Sequence, residues 1–291
     1  MLEKHPNYLP LYDIEGAVNL DQNPVFHTSD ACPNFQEGLS SFKDWLINEV
    51  ELNHSKTIYK FGDGDYHFLK KQAVGSASPG RRALSKSYDQ LQNHHEFVNG
   101  VAQNDLIAVE IYNLGLFNNL FPETKVQIPA EYGYGLVSSR WLTRTFAGKI
   151  GLIGADEKLN LIKQLMERPE YQDNLGLSNF NDYVTIPQKF ACDNLDAVEA
   201  SIASQLSNCN NDTKIFLVGI GHIKSGLLHR MKKYKNAIFY DVGSGIDALA
   251  GIVDFERPYM GGWTNYRLKN FDYSRIDFLQ YIPNPDKEMW L

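Results

Sequence analysis

The amino-acid sequence predicts an α/β fold in which a parallel sheet carries helices on both faces. Three observations support this. Between residues 183 and 254, short strand-like runs alternate with longer helix-like ones, the pattern that right-handed crossovers produce. Three apolar runs end in glycine turns, at Gly62, at Gly219 and just after Asp241, as strands do where they deliver ligand-binding loops. The 291 residues, 43% of them hydrophobic, suffice for a large buried core, and no apolar run has the length of a membrane span.

Taken in order, residues 1 to about 35 are rich in Pro, Asn and Asp and read as an irregular lead-in. From Ser40 to Leu52 the side chains Phe42, Trp45, Leu46 and Val50 share one helical face, with Ser41 and Asp44 as a helix start. Thr57 to Phe61 is β-branched and aromatic and suits a buried strand, and Asp65 to Gln72 suits a short helix. A small-residue loop, Gly75 to Gly80, precedes Arg81, Arg82 and a helix through roughly Asn93, with His94 and His95 as charges on its C-terminal dipole. Leu106 to Ile111 reads as a strand whose Glu110 is a buried or rim carboxylate.

Lys149 to Gly154 is the next strand, followed by a helix from Asp156 to Glu167 that Arg168-Pro169 ends. Tyr183 to Pro187, Lys214 to Val218 and Ala237 to Asp241 read as strands. Leu195 to Leu206, Ile223 to Tyr234 and Ile246 to Ile252 read as the helices between and after them. The domain organisation expected is a lead-in and helix over 1–54, a core over 55–254 and an aromatic extension over 255–291 packed on that core. The rings of the extension also suit a sugar face or a homodimer contact.

A net charge of -7 disfavours nucleic acid and anionic membranes as partners. Cys32, Cys192 and Cys209 lie far apart and read as unpaired buried thiols. The N-terminal residues lack a basic segment followed by an apolar one, so a cytoplasmic setting is expected. The sequons at Asn53 and Asn211 are then chance matches.

Chemistry concentrates at the strand ends. In Phe61-Gly62-Asp63-Gly64-Asp65, Gly62 and Gly64 permit a sharp turn and the close approach of an anionic ligand. Asp63 and Asp65, two residues apart across that turn, could share one hard cation, Mn2+ or Mg2+. A plain turn with solvated carboxylates is the other reading. Arg81 and Arg82 form a second anion-site candidate, or a solvated pair on an exposed loop.

The combination of Gly62-Asp63-Gly64-Asp65, Gly75-Ser76-Ala77-Ser78-Pro79-Gly80-Arg81-Arg82 and Asp241-Val242-Gly243-Ser244-Gly245-Ile246-Asp247 resembles the GT-D fold of glycosyltransferases over roughly residues 55 to 254. Two positions depart from that family's pattern: Lys60 stands where it has arginine, and Asp65 where it has glutamate. The resemblance implies a Rossmann-like nucleotide-sugar-binding core and transfer of a sugar from a nucleotide-diphosphate donor to a glycan or other hydroxyl acceptor. It also implies a divalent cation on Asp63 and Asp65 at the pyrophosphate, assisted by Arg81 or Arg82.

Under that reading Gly219 and Gly221 admit the nucleotide, Asp241 and Ser244 line its site, and Asp247 or His222 takes the acceptor proton. Asp247 and His222 each have a plainer role as helix caps. Two rivals stand beside it. In an S-adenosylmethionine-dependent methyltransferase, Gly219 and Gly221 would form the cofactor turn and Asp241 would hold ribose hydroxyls. A non-catalytic nucleotide-sugar-binding domain would explain Lys60 and Asp65 as features of a decayed site.

Overall fold

A computed structural model describes residues 35–71, 91, 93–187, 190–252, 268 and 271–273. The strands are β1 (Lys56–Phe61), β2 (Leu106–Val109), β3 (Ile128–Pro129), β4 (Ile150–Ala155), β5 (Tyr183–Ile186), β6 (Ile215–Gly219) and β7 (Ile238–Asp241). They form one parallel sheet in the order β3-β2-β1-β7-β6-β4-β5. This is the predicted α/β, Rossmann-like architecture.

The helices are α1 (Phe35–Glu51), α2 (Asp63–Leu69), α3 (His94–Val101), α4 (Leu114–Leu120), α5 (Glu131–Ser138), α6 (Trp141–Thr145), α7 (Asp156–Leu165), α8 (Pro169–Leu175), α9 (Leu195–Ser207), α10 (Lys224–Leu227) and α11 (Gly245–Leu249). One core, against α1, α5 to α8 and α11, takes Ile58, Leu217, Ile238 and Tyr240 from the sheet. The other, against α2, α3, α4, α9 and α10, takes Tyr59, Phe61, Phe216, Val218 and Phe239. Alternate residues of each central strand are thus buried on opposite faces, which is why Ile215 to Val218 and Ile238 to Tyr240 are apolar runs.

The layers also explain the connections. The steps β1 to β2, β2 to β3, β5 to β6 and β6 to β7 all move one way along the sheet and pass through the α2, α3, α4, α9 and α10 layer. The steps β3 to β4 and β4 to β5 move the other way and pass through the opposite layer. A single crossover handedness requires this sorting. The loop after β1 and the helix after β7 therefore leave two adjacent strands toward opposite faces, which opens a crevice between their carboxyl ends.

Several predicted elements differ in detail. His94 and His95 open α3 instead of closing a helix, because Asn93 adopts a left-handed conformation (φ 57°) and α3 starts beyond it. The His94 ring then donates from Nε2 to the Phe68 carbonyl at 3.1 Å, satisfying the end of α2. Burial lowers the His94 pKa, so the ring serves as a neutral donor, not as a charge on a dipole.

The predicted helix from Ile223 to Tyr234 is a run of short turns. Tighter 3-10 segments over Gly221–Ile223 and Leu228–Lys233 flank α10, whose residues are all buried. Arg230 braces this run by pairing with Glu96 of α3 and Glu199 of α9, both at 2.6 Å. Strand β3 was not foreseen; it is two residues long and contains a proline, which is tolerated because it lies at the sheet edge.

Helix α1 leads into β1 and packs into the same core as the sheet. Of the tail, Leu268, Phe271 and Tyr273 pack on that core. The predicted loop and helix with Arg81 and Arg82, residue Cys32 and the remaining tail residues lie outside the described residues. Cys192 is buried, Cys209 partly so, and both are free thiols. Among the described residues no helix is long and apolar enough to cross a membrane.

Candidate functional site

Strands β1, β7 and β6 are neighbours, so the three glycine-marked strand ends lie side by side. Three segments meet there: Gly62 to Asp65 after β1, Gly219 to Lys224 after β6, and Asp241 to Gly245 after β7.

The helical start comes earlier than the sequence indicates. Asp63 and Asp65 are the first and third residues of α2, with Gly62 as its cap. Two positions along an α-helix turn the side chain by about 200°. The two carboxylates accordingly separate: Asp63 is exposed and accepts its neighbour's N–H from Gly64 at 2.7 Å, whereas Asp65 is 4% exposed.

Asp65 is fully engaged. Its Oδ2 accepts the Gly62 N–H at 2.9 Å and lies 3.2 Å from Lys224 Nζ, and its Oδ1 lies 3.2 Å from His222 Nδ1. Burial alone would raise the Asp65 carboxyl. The Lys224 ammonium and the His222 hydrogen bond outweigh burial and hold it well below the ordinary carboxylate range. An ionised Asp65 can only accept, so Nδ1 of His222 carries the hydrogen of this contact, and in the neutral ring Nε2 is the nitrogen with the lone pair. The imidazole stacks on Phe68 at 4.8 Å with a 10° interplanar angle, and its side chain keeps 15% exposure.

Lys224 lies deeper. Its ammonium reaches Asp241 Oδ2 at 2.6 Å, Asp65 Oδ2 and the Lys60 carbonyl, and sits 4.8 Å from the centre of the Tyr59 ring. Asp241, 1% exposed, also accepts N–H groups from Lys60 at 3.1 Å and Gly243 at 3.0 Å. Its oxygens thus face Lys224, Lys60 and Gly243 inside the protein.

A second ion pair borders the first. Lys60 Nζ lies 2.7 Å from Glu110 Oε1, which also accepts from Tyr134 at 2.7 Å. Burial works against the Lys60 ammonium, but Tyr134, Glu110 and Asp65 outweigh it and raise its pKa. Among the described residues Glu110 is its one ionic partner, and the side chain is 14% exposed.

The glycines mostly make room for the protein itself. A Cβ on Gly62 would stand 2.7 Å from Lys60 Nζ, and one on Gly64 3.2 Å from the His222 ring. One on Gly219 would meet Ile246 at 2.5 Å and the Gly243 carbonyl at 2.9 Å, so Gly219 seats α11 on β6. Gly221 has a φ of +62°, a left-handed turn that starts the path to His222. The spaces at Gly62, Gly64 and Gly219, assigned to a ligand from sequence, are occupied by Lys60, His222 and Ile246.

Two further candidates belong to the start of α11. Asp247 is its third residue, in the first turn and not at the cap, and pairs with Lys158 of α7 at 2.6 Å. Ser244 is the residue that precedes α11, and its carbonyl accepts the Ala248 N–H at 3.0 Å. Arg81 and Arg82 lie outside the described residues.

The donor set does not suit a cation held between Asp63 and Asp65, since Asp65 already serves an ammonium, an imidazole and a backbone N–H. Among the described residues no group of three or more His, Cys, Asp or Glu side chains is placed to hold a metal ion.

Sequence reasoning missed Lys224 and Glu131. The signal for Lys224 was a lysine close to Ile223, Leu227 and Leu228, since a buried lysine requires partners. Glu131, 2% exposed at the start of α5, accepts the Ile111 N–H at 2.9 Å through Oε1, while Oε2 has no hydrogen-bond partner among the described residues. Burial raises this carboxyl from 4.5 to about 7.

The native state therefore holds this proton more tightly than the unfolded chain. The stability associated with it is complete below pH 4.5 and is lost as pH rises through about 7. Glu131→Gln keeps the acceptor for Ile111 and removes the titration. It should leave the melting point unchanged near pH 4 and raise stability by on the order of 3 kcal/mol near pH 8. Identical melting profiles for the two proteins across this range would refute the assignment.

Fold and site together define an α/β protein with an ion-paired site at the carboxyl edge of a parallel sheet and a partly exposed histidine-carboxylate pair within it. No protein-family model, curated protein or solved structure matches the chain.

Proposed function

We propose that the chain is a glycosyltransferase that moves a sugar from a nucleotide-diphosphate donor to a hydroxyl acceptor, with His222 as the general base. The observation that carries this reading is the His222–Asp65 pair at the crevice between β1, β7 and β6. A base oriented through one ring nitrogen, with the other unprotonated, suits proton removal from a hydroxyl group. The order of the strand-end motifs and their resemblance to the GT-D pattern supply the substrate class.

In an inverting transfer the acceptor oxygen bonds to the anomeric carbon. The bond from that carbon to the diphosphate breaks, with its electron pair leaving on the diphosphate, and the acceptor proton goes to Nε2 of His222. Lys60 is the ammonium available to the departing diphosphate, because among the described residues one carboxylate engages it.

The test is incubation with a panel of nucleotide-diphosphate sugars. Slow release of free nucleoside diphosphate is expected even without an acceptor, and S-adenosylmethionine should not alter the melting point. Tight binding of S-adenosylmethionine together with indifference to every nucleotide would replace this reading with the methyltransferase one. Donor binding without any turnover would leave a binding domain.

A further inference from the structure

The Lys224 ammonium has the surroundings of a bound cation. Three oxygens close on it from three segments: Asp65 Oδ2 from α2 at 3.2 Å, Asp241 Oδ2 from the end of β7 at 2.6 Å, and the Lys60 carbonyl of β1. One N–H of the ammonium donates to the Lys60 carbonyl, and the two carboxylates lie within ion-pair distance of its charge. The side chain of Lys224 is 5% exposed and that of Asp241 is fully buried. Lys224 therefore cannot swing out to meet a substrate without taking the ammonium from two buried carboxylates, which is strongly disfavoured.

We propose that Lys224 is the resident cation of this site, holding Asp65 and Asp241 as a divalent ion would, so that the chain operates without a divalent metal. Two carboxylates and a carbonyl are the kind of oxygen donors that manganese or magnesium would use if the ammonium were absent. With the ammonium present, an added divalent ion meets a like charge and carboxylates already in use. Lys224 is thus a positioning residue. It fixes Asp65, Asp65 fixes the His222 tautomer, and no mobile ion is needed at either step.

Only the catalytic consequence of this inference rests on the proposed transferase activity; the cation replacement itself is tested without any nucleotide. The experiment is a titration of the purified full chain with manganese alone, followed by calorimetry and by melting in manganese and in EDTA. The wild-type melting point should agree in the two conditions to within about 1 °C. Lys224→Met keeps most of the side-chain volume and removes the charge. It should bind manganese at least about tenfold more tightly than wild type and melt several degrees higher in manganese than in EDTA.

If Lys224→Met folds poorly in EDTA, recovery of the folded form on adding manganese gives the same answer. Lys224→Arg retains the charge and should ignore manganese. The proposal fails if the wild type binds manganese in a manner that Asp65→Asn abolishes. It fails equally if Lys224→Met is no more responsive to manganese than the wild type, or stays unfolded in manganese as in EDTA.

Discussion

Replacing His222 with glutamine should lower the rate of sugar transfer by roughly two to four orders of magnitude, the range typical of losing a general base, with little change in melting point. Glutamine can still donate an N–H toward Asp65 Oδ1, so the buried carboxylate keeps a partner, but its amide cannot accept a proton at neutral pH. The loss should fall on kcat more than on KM, because the group acts on the acceptor proton in the transition state. Asp247→Asn is the matched control. Asp247 is held by Lys158 at 2.6 Å rather than by the β1 and β6 strand ends, and its amide variant should transfer sugar within a few-fold of the wild type. A His222→Gln protein that turns over normally, beside an inactive Asp247→Asn, would reverse the assignment of the base.

Gly100→Val should destabilise the chain by about 3 kcal/mol or more, read as a lower urea midpoint with an unchanged slope. A Cβ at Gly100 of α3 would lie 2.1 Å from the Ser225 carbonyl oxygen of α10 and 2.8 Å from the His229 ring. The first neighbour is backbone and cannot rotate away, so α3 and α10 must separate. A gain in helix propensity over glycine, under about 1 kcal/mol, is too small to offset that overlap. Any folded variant should also be a poor enzyme, because α10 carries Lys224 and Ser225, and Ser225 hydroxyl meets Tyr59 OH at 2.8 Å. Wild-type stability in Gly100→Val would mean that the two helices are not in this close contact.

Much of the fold was legible because its strands are buried on both faces. Ile215 to Val218 and Ile238 to Tyr240 are apolar throughout, and glycines mark where such runs stop. Asp65 was legible as a candidate site residue because it follows the glycine that ends β1. Its partners were not, since His222 lies 157 positions away along the chain and only sheet order brings the two together.

The role of the glycines was misjudged because composition reveals where space is needed but not what fills it. At Gly62, Gly64 and Gly219 the occupants come from Lys60, His222 and Ile246. The separation of Asp63 from Asp65 was hidden for another reason. Whether they sit on a turn or in the first turn of a helix is a one- or two-residue question, and element boundaries are the least readable feature of a sequence.

The position of β7 has a consequence for biosynthesis. It is the last of the seven strands among the described residues, yet it lies in the middle of the sheet, pairing with β1 on one side and β6 on the other. Until residues 238–241 have left the ribosome, the β3-β2-β1 and β6-β4-β5 groups have no strand to join them, and Asp65 and Lys224 lack Asp241. Closing contacts this distant in sequence is slow and comes late, since loop-closure entropy must be overcome first. A nascent chain that still lacks β7 would therefore lack the assembled His222–Asp65–Lys224–Asp241 network.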